Sequence, residues 1–281
     1  MVEIIIAIAI LGGLGLIFGL VLAAASKVFY VETDPRLDAL NECLPGANCG
    51  GCGYAGCGGY AEAVLSGEAP IGACASGGNE CVRAMSAIMG VEATEIKRKV
   101  AFVRCSGYRR VDSNGKEQGK RKKAEYEGFK DCLAASKVGG NGPISCKYGC
   151  LGFGSCVKAC KYDAISVVDG VAQVDKEKCV GCMACAKACP RKLIEGVEYD
   201  KQVFIPCASH AKGAVTVRGC SQGCIGCGLC VKICPEKAIS IDRNLAVIDY
   251  DKCQNCGLCA TVCPKKLILS FAEPAQEPVT Q

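Results

Sequence analysis

The feature that most constrains this chain is a run of four cysteines within eleven residues, closed by a proline and then repeated. The pattern C-x2-C-x2-C-x3-C-P occurs at residues 224–235 and again at 253–264. Cysteines two or three residues apart are poor disulfide partners, but they are well spaced to bind one metal centre. Four thiolates at this spacing are typical of four-iron clusters, and in two-cluster modules the fourth cysteine of each run ligates the other cluster.

This rule assigns the ligands of a two-cluster, ferredoxin-like module. One cluster is expected on the first three cysteines of the first run together with the last cysteine of the second run, and the other cluster on the converse set. The first set is Cys224, Cys227, Cys230 and Cys263, and the second set is Cys234, Cys253, Cys256 and Cys259. The spacing is too specific to favour zinc.

An almost identical pattern lies 74 residues earlier in the chain. Its cysteines are Cys146, Cys150, Cys156, Cys160, Cys179, Cys182, Cys185 and Cys189, and the shift places them on Cys220, Cys224, Cys230, Cys234, Cys253, Cys256, Cys259 and Cys263. Between the halves of each copy we predict a β-hairpin, with turns at Asp169-Gly170 and at Arg243-Asn244. The repeat therefore predicts two tandem modules.

The first copy departs from the second at Phe153, which occupies the position of Cys227. We expect Cys146 to replace the missing ligand, so that one cluster lies on Cys146, Cys150, Cys156 and Cys189. The other cluster of this module is expected on Cys160, Cys179, Cys182 and Cys185. The alternative is a three-iron cluster with Cys146 unused, and it stays open because the second copy keeps the equivalent Cys220 beside a complete ligand set.

A separate cysteine group precedes the repeat, with the spacing Cys49-x2-Cys52-x4-Cys57-x16-Cys74. Its many glycines allow the backbone to wrap closely and to direct N–H groups at sulfur. Apolar residues at helical spacing after Cys57 and again around Val82 predict two short covering helices. Structural zinc sites usually use paired C-x2-C knuckles, often with histidine, so an iron–sulfur cluster is favoured here.

Six cysteines remain outside these sets: Cys43, Cys81, Cys105, Cys132, Cys207 and Cys220. We expect most of them to be buried small apolar residues or neighbours of cluster ligands. Cys207 and Cys220 precede the second module much as Cys132 and Cys146 precede the first, so an additional site stays open.

The N-terminus carries the longest apolar stretch, Ile4 to Ala25, with 22 residues and no charge. At ~1.5 Å per residue it spans roughly 33 Å, enough to cross a bilayer. A cleaved signal peptide is the alternative, but Glu3 precedes the stretch and no basic residue does. Lys27 and Arg36 follow it, which predicts a single-pass anchor with the remainder of the chain in the cytoplasm.

Composition limits what else the chain can do. It has 26 cysteines among 281 residues, no tryptophan and 6% aromatic residues, so small lobes must be held together by metal clusters instead of large cores. The formal charge of +5 would fall to roughly −5 with five clusters of about −2 each. No G-x-G-x-x-G after a predicted strand and no P-loop occur, so hydride chemistry is not expected in this chain.

Residues 95–123 form a basic stretch with eleven Lys or Arg and three acidic residues. A solvated loop is one interpretation. Attraction to anionic lipid and docking of an acidic electron carrier are two others, and docking is favoured. Nucleic acid is disfavoured because few aromatic residues interleave for base stacking.

The order of these parts resembles the B subunit of Rnf-type complexes, which are ion-translocating ferredoxin:NAD oxidoreductases of bacterial membranes. The resemblance is carried by the membrane anchor, by "LPGANCGGCGYAGC" and by "GPISCKYGCLGFGSCVKAC". It implies a four-iron cluster on Cys49, Cys52, Cys57 and Cys74. With this set and two sets in each module, the cysteine pattern predicts five clusters in all. The resemblance also implies soluble ferredoxin as electron donor, partner subunits that carry flavin, the NAD site and the ion path, and location in the bacterial plasma membrane.

The expected architecture is α+β, with a transmembrane helix, a small cluster domain and two tandem modules. The predicted boundaries are 1–27 for the anchor, 28–92 for the N-terminal 4Fe-4S domain, 93–145 for a basic connecting segment, 146–195 for the first module, 196–219 for a connector, 220–270 for the second module and 271–281 for a disordered tail. Two alternatives remain: a polyferredoxin subunit of another membrane redox complex such as a hydrogenase, and a zinc-bound interaction or nucleic-acid module. Colour separates iron–sulfur protein, which is brown, from zinc protein, which is colourless.

Overall fold

A computed structural model describes residues 2–28, 34–108, 110–111 and 117–271. The chain divides into two units, Met1–Ala39 and Leu40–Gln281. The first unit contains helix α1, Val2–Val28, whose sequence is apolar from Ile4 to Ala25. Within it, Ile10–Lys27 is long and apolar enough by composition to cross a membrane, with a mean hydropathy of 1.9. The predicted tail lies almost wholly outside the described residues.

A small helical lobe follows and carries the first cysteine group. It contains α3 (Cys57–Leu65) and α4 (Gly78–Met89), so both predicted covering helices form, while α2 (Pro35–Glu42) spans the boundary between the two units. Tyr60 is fully buried, and its hydroxyl donates to the carbonyl of Pro70 at 2.9 Å and accepts from the N–H of Ala73 at 3.2 Å. These bonds fix the loop that leads to Cys74.

Each module is built around the predicted hairpin. In the first, β4 (Ile165–Val168) pairs with β5 (Val171–Val174), and in the second, β8 (Ile239–Asp242) pairs with β9 (Leu245–Ile248). The two residues of each turn have positive φ, 49° and 75° in the first hairpin and 43° and 67° in the second. Such turns match the twist of the strands. Short helices flank each hairpin: α6 (Ser155–Lys158) and α7 (Ala184–Ala188) in the first module, α9 (Leu229–Ile233) and α10 (Leu258–Thr261) in the second.

A second pair of strands encloses each module, and the sequence repeat does not reveal it. Strand β1 (Lys99–Val103) pairs antiparallel with β6 (Ile194–Glu198), and β7 (Val203–Phe204) pairs antiparallel with β10 (Leu269–Ser270). Phe102 faces Glu195 in the first sheet, and Phe204 faces Leu269, the equivalent of Glu195, in the second. The repeat therefore begins at these strands, and residues 93–145 contribute a strand to the first module instead of serving only as a connector.

The remaining elements lie between each outer strand and its first cysteine run. They are β2 (Arg110–Val111), β3 (Glu117–Gln118) and α5 (Cys132–Ser136) in the first copy, and α8 (Gly213–Gly219) in the second. Each module has an apolar core, and both cores contain many of the cysteines beside a few branched aliphatic residues. The thiols are thus part of the cores, as expected for lobes with few large side chains.

Candidate metal centres

The cysteines of the N-terminal lobe surround one cavity. Its thiols include Cys49, Cys52, Cys57 and Cys74, the set that the sequence groups together. The hydroxyl oxygen of Ser76 lies 3.6 Å from Cys49 Sγ. Gly77 keeps space beside the site, because a Cβ there would come within 2.9 Å of Cys81 Sγ and 3.5 Å of Cys74 Sγ.

The second module has a cavity lined by Cys224, Cys227, Cys230 and Cys263. The structure therefore brings together the three cysteines of one run and the last cysteine of the other. The rest of the lining is mainly apolar, including Ile205, Ile241 and Ile268.

The converse set of the second module contains Cys259, which is buried. Burial raises the pKa of the Cys259 thiol to about 12, and the charges of nearby cysteines, Cys253 and Cys256 among them, act in the same direction. Cys259 therefore lies near Cys230 of the first run as well as near Cys253 and Cys256 of its own run.

The first module has a cavity equivalent to that of the second, but one of its four thiols is unexpected. The lining cysteines are Cys132, Cys150, Cys156 and Cys189. Cys146, which we expected as the replacement for the ligand missing at Phe153, does not line this cavity. Cys132, the first residue of α5, stands in its place.

Local bonds hold α5 against the first cysteine run. The carboxylate of Asp131 caps the helix by accepting from the N–H groups of Leu133 and Ala134 at 2.8 and 3.1 Å. It also accepts from the hydroxyl of Ser155 at 2.6 Å, and the same hydroxyl accepts from the N–H of Cys132 at 2.8 Å. Because Ser155 directly precedes Cys156, these bonds place Cys132 beside the ligands of the run.

The other set of the first module adjoins the N-terminal lobe. Cys182 and Cys185 lie within electrostatic range of Cys160 and Cys179. Cys182 also lines the N-terminal cavity. Lys161, which replaces the proline after the run, donates to the carbonyl of Ala47 at 2.8 Å and so ties the two regions together.

Backbone N–H groups point at several of the sulfurs. The bonds from Leu193 to Cys189 Sγ, at 3.4 Å, and from Leu267 to Cys263 Sγ, at 3.5 Å, occupy equivalent places in the two modules. A further bond runs from Ala101 of β1 to Cys179 Sγ at 3.3 Å. Hydrogen bonds of this kind stabilise thiolate charge and tune cluster potentials.

Burial keeps several of the thiols protonated when no metal is bound. It raises the pKa of Cys156 and Cys185 to about 12 and that of Cys230 to about 11, with neighbouring cysteine charges as the second cause. Thiolates form at such positions when a metal centre offsets the charge, so metal binding would release protons.

The arrangement of the thiols suits a cluster better than a single ion. Among the described residues, no three His, Cys, Asp or Glu side chains lie close enough together to share one metal ion. A zinc ion would need four donors at ~2.3 Å. Thiols that line one site without converging on a single point instead fit a larger core of several irons and sulfides.

Two cationic side chains, one buried and one half-buried, lie beside the sites of the first module. The side chain of Lys120 is 2% exposed, and its Nζ donates to the carbonyls of Cys150, at 2.5 Å, and Gly170. The guanidinium of Arg191 donates to the carbonyls of Cys146, at 3.0 Å, and of Gly149 and Asn141. Lys120 is therefore not part of an exposed basic surface, contrary to our interpretation of the stretch 95–123.

Other basic residues of that stretch are also in local contacts. Arg98 donates to the carbonyls of Lys176, Glu177 and Cys179 and stacks 4.2 Å from the ring of Tyr199. Lys97 pairs with Glu198 at 3.2 Å. Three consecutive residues, Arg121 to Lys123, keep exposed side chains.

Family comparisons match three parts of the chain. The FeS family, for an Fe-S cluster, matches residues 44–76, the 4Fe-4S binding domain matches residues 172–195, and the 4Fe-4S dicluster domain matches residues 223–267. These matches agree with iron–sulfur sites in all three cysteine groups.

Similar proteins extend over most of the chain. The B subunit of the Na⁺-translocating ferredoxin:NAD⁺ oxidoreductase complex of Acetobacterium woodii is 44% identical over 253 residues, which cover 90% of this chain and 73% of that protein. The B subunit of the ion-translocating oxidoreductase complex of Methanosarcina acetivorans is 40% identical over 247 residues, 88% of this chain and 90% of that protein. The B subunit of the proton-translocating ferredoxin:NAD⁺ oxidoreductase complex of Clostridium ljungdahlii is 42% identical over 242 residues, covering 85% and 82%.

Proposed function

The chain belongs to the B subunits of ion-translocating ferredoxin:NAD⁺ oxidoreductase complexes, and we propose that it carries electrons from reduced ferredoxin to its partner subunits. The observation that supports this role most strongly is the grouping of its thiols into adjoining cysteine-lined sites. The chain is a component of an oxidoreductase, and NAD⁺ chemistry is assigned to another component of the complex. The relatives named for Na⁺ and for H⁺ are about equally similar to it, so the coupling ion does not follow from this chain.

We propose five four-iron clusters for the cysteine groups that the sequence identifies. The ligands are Cys49, Cys52, Cys57 and Cys74; Cys132, Cys150, Cys156 and Cys189; Cys160, Cys179, Cys182 and Cys185; Cys224, Cys227, Cys230 and Cys263; and Cys234, Cys253, Cys256 and Cys259. Each cluster, when bound, accepts and returns one electron. Cys132 replaces Cys146 in the second of these sets because Cys132 lines the cavity and Cys146 does not.

The protein around these sites holds and orients the thiols. Backbone N–H groups of the residues four positions after Cys189, Cys234 and Cys263 donate to those sulfurs at 3.4–3.5 Å. The aliphatic residues of the two cores exclude water from the buried thiols. Lys120 and Arg191 place positive charge beside the first module, which favours anionic occupants of the neighbouring cavities.

The proposed organisation places a single membrane-spanning helix at 1–27, with the cysteine-bearing remainder in the cytoplasm. The N-terminal cluster domain at 28–92 and the modules at 146–195 and 220–270 would then form the conducting part. The apolar α1 and the membrane complexes of the relatives support this arrangement. Soluble ferredoxin and the flavin-bearing, NAD-binding and ion-conducting subunits are the proposed partners.

Reduction of the purified chain by ferredoxin tests the proposed function. Full-length protein in detergent, loaded with iron and sulfide under argon, is mixed with reduced ferredoxin while absorbance near 400 nm is followed. We expect saturable bleaching of a brown protein, with a rate that depends on ferredoxin concentration. A loaded protein that ferredoxin does not reduce, or a colourless zinc protein, would disprove the proposal.

A further inference from the structure

A fourth cysteine-lined cavity lies where the two modules meet, and none of the five proposed sites uses it. Like the other three cavities, it is lined by at least four thiols. Its thiols are Cys105, Cys146, Cys207 and Cys220. Three of them are buried and Cys146 is half-buried. Cys105 and Cys146 belong to the first copy of the repeat, and Cys207 and Cys220 belong to the second.

The first thiol of each pair has the same backbone setting in both copies. Cys105 and Cys207 follow the equivalent strands β1 and β7, and the N–H of each donates to the carbonyl two residues earlier at 2.8 Å. Each Sγ accepts a hydrogen bond of 3.4 Å from the backbone N–H of a module ligand, Cys150 in one case and Cys224 in the other.

The second thiol of each pair occupies an equivalent position in the sequence repeat. Cys146 and Cys220 both stand four residues before the first module ligand. Glycines keep room at these sulfurs: a Cβ at Gly149 would lie 3.4 Å from Cys146 Sγ, and a Cβ at Gly107 would lie 3.3 Å from Cys220 Sγ. Two equivalent halves that converge on one cavity indicate a dedicated site rather than scattered buried cysteines.

We propose that Cys105, Cys146, Cys207 and Cys220 hold a sixth four-iron cluster, which joins the two modules. The cavity lining contains no carboxylate and no imidazole among the described residues, so sulfur is its principal donor for metal. It contains the basic residues Arg104 and Lys120. Four thiolates around an oxidised core of charge about +2 leave roughly −2 on the site, and the buried ammonium of Lys120 offsets part of it.

The position of the cavity gives the site its role. Cys105 is bonded to the backbone of Cys150 in the first module, and Cys207 to the backbone of Cys224 in the second. The site is therefore in direct contact with a proposed cluster site on each side, and it completes a series of adjoining sites from the N-terminal lobe to the second module. This role rests on the proposed function, because it requires the flanking sites to hold clusters.

Binding of iron at this site releases protons from the cysteine thiols. Four cysteine thiols lose four protons as their sulfurs bind four irons, and the irons and sulfides come from the same source that loads the other sites. Burial raises the pKa of Cys220 to about 12 and that of Cys207 to about 11, so these thiols stay neutral until iron binds.

Iron and acid-labile sulfide counts on the anaerobically loaded, full-length chain test the inference. We expect about 24 irons per wild-type chain, four for each of six sites. Cys105→Ser and Cys207→Ser should each lose about four irons and about one sixth of the absorbance near 400 nm. Cys43→Ser is the matched control, since Cys43 lies outside all six sites, and it should keep the full count.

The outcomes separate this inference from the proposed function. A wild-type chain with about 20 irons, unchanged by Cys105→Ser and Cys207→Ser, would overturn the sixth site and leave the function intact. A wild-type chain without iron would overturn both. If either serine variant fails to fold, the wild-type count decides between five and six sites without it.

Discussion

The two ferredoxin-like modules have similar backbones, but one of the four thiols that line the cavity comes from a different place in each. In the second module Cys227 lies within the first cysteine run, whereas the first module has Phe153 at that position. Phe153 packs 5.1 Å from the ring of Tyr126 in a small apolar cluster that includes Cys132. The first module thus receives its fourth thiol from a separate helix that this cluster and Ser155 hold in place.

The difference coincides with an insertion. Forty residues separate Cys105 from Cys146 in the first copy, whereas twelve separate Cys207 from Cys220 in the second. The longer segment carries α5 with Cys132, the buried Lys120 and the exposed Arg121 to Lys123. We infer that proximity to the cavity, and not the spacing of the run, determines which thiols are candidate ligands.

The largest expected effect is the loss of iron when Cys132 is removed, and its recovery when a cysteine is placed in the run instead. Cys132→Ala should remove about four irons or leave a three-iron cluster, because three thiols remain in the cavity. Adding Phe153→Cys should restore the count by giving the first module the ligand pattern of the second. Iron analysis and EPR of the oxidised protein measure both effects.

Cys146→Ser is the matched comparison for that rescue. Cys146→Ser should spare the first-module cluster and remove the proposed sixth cluster between the modules. Cys220→Ser should have the same effect, so each variant should lose about four irons. A three-iron EPR signal in Cys146→Ser, with normal iron in Cys132→Ala, would restore Cys146 as the module ligand.

A smaller loss of stability is expected at two equivalent glycines, where both modules need a positive φ and space beside the hairpin turn. Gly152 and Gly226 both have positive φ, 79° and 66°, and a Cβ would come within 2.5 Å of the Gly170 carbonyl and 2.7 Å of the Asn244 carbonyl. Alanine at either position should destabilise the protein by more than the ~1–2 kcal/mol of a left-handed residue. The temperature of half-bleaching should fall by at least a few degrees in both variants.

Gly154→Ala controls for the backbone strain alone. Its φ is also 79°, but the nearest atom to a new Cβ is 3.9 Å away. It should lower the temperature of half-bleaching less than Gly152→Ala does. Equal losses for these two variants would show that the contact with the hairpin turn does not matter.

The attachment of α5 gives a third, smaller effect that is limited to the first module. Asp131→Ala removes the helix cap and the bond to Ser155, whereas Asp131→Asn keeps an acceptor for the helix N–H groups. The alanine variant should lose about four irons to a chelator faster than wild type, and the asparagine variant should lie between them. Loss of iron from all sites at one rate would contradict a local role for Asp131.

The same carboxyl predicts how this effect depends on pH. The hydrogen bond from Ser155 lowers the pKa of Asp131 below its usual 3.8, and the helix N–H groups add to this effect. Its contribution to stability is therefore complete above pH 3.8 and is lost as the pH falls through the lowered pKa. The difference between wild type and Asp131→Ala should be constant near neutral pH.

The smallest effect concerns the exposed basic residues of the insertion. Arg121, Lys122 and Lys123 changed together to Gln should slow reduction by ferredoxin at low salt, if an acidic carrier docks on the first copy. The two rates should converge near 1 M salt, where the Debye length shrinks to about 3 Å.

A charge-matched variant in the second copy supplies the control. Lys232, Lys237 and Lys266 are exposed, and changing them to Gln removes the same three charges. This variant should reduce the rate less at low salt. Equal slowing by both variants would indicate an effect of net charge, and no slowing by the first would exclude docking on the insertion.

The sequence was sufficient for the parts of the fold that are local. The residues between the cysteine runs predicted both hairpins and their turns, because turn chemistry and strand alternation are local constraints on the chain. The cysteine spacing grouped Cys224, Cys227 and Cys230 with Cys263, which line one cavity. The apolar spacing after Cys57 predicted α3 in the same way.

The parts that could not be predicted depend on long-range contacts. The equivalence of β1 and β7 is hidden because the insertion changes their distance from the modules. Cys132 lies well before the run that it joins, and its place follows from the bonds of Asp131 and Ser155. Lys120 resembles one of a run of exposed charges, yet it is buried against carbonyls of the first module.

Counting electrons tests whether this chain is a series of one-electron sites. The anaerobically loaded, full-length protein is titrated with a strong one-electron reductant while absorbance near 400 nm is recorded. We expect bleaching that ends after about six electrons per chain, one for each of the six proposed cluster sites. A colourless protein that takes up no electrons would disprove this role.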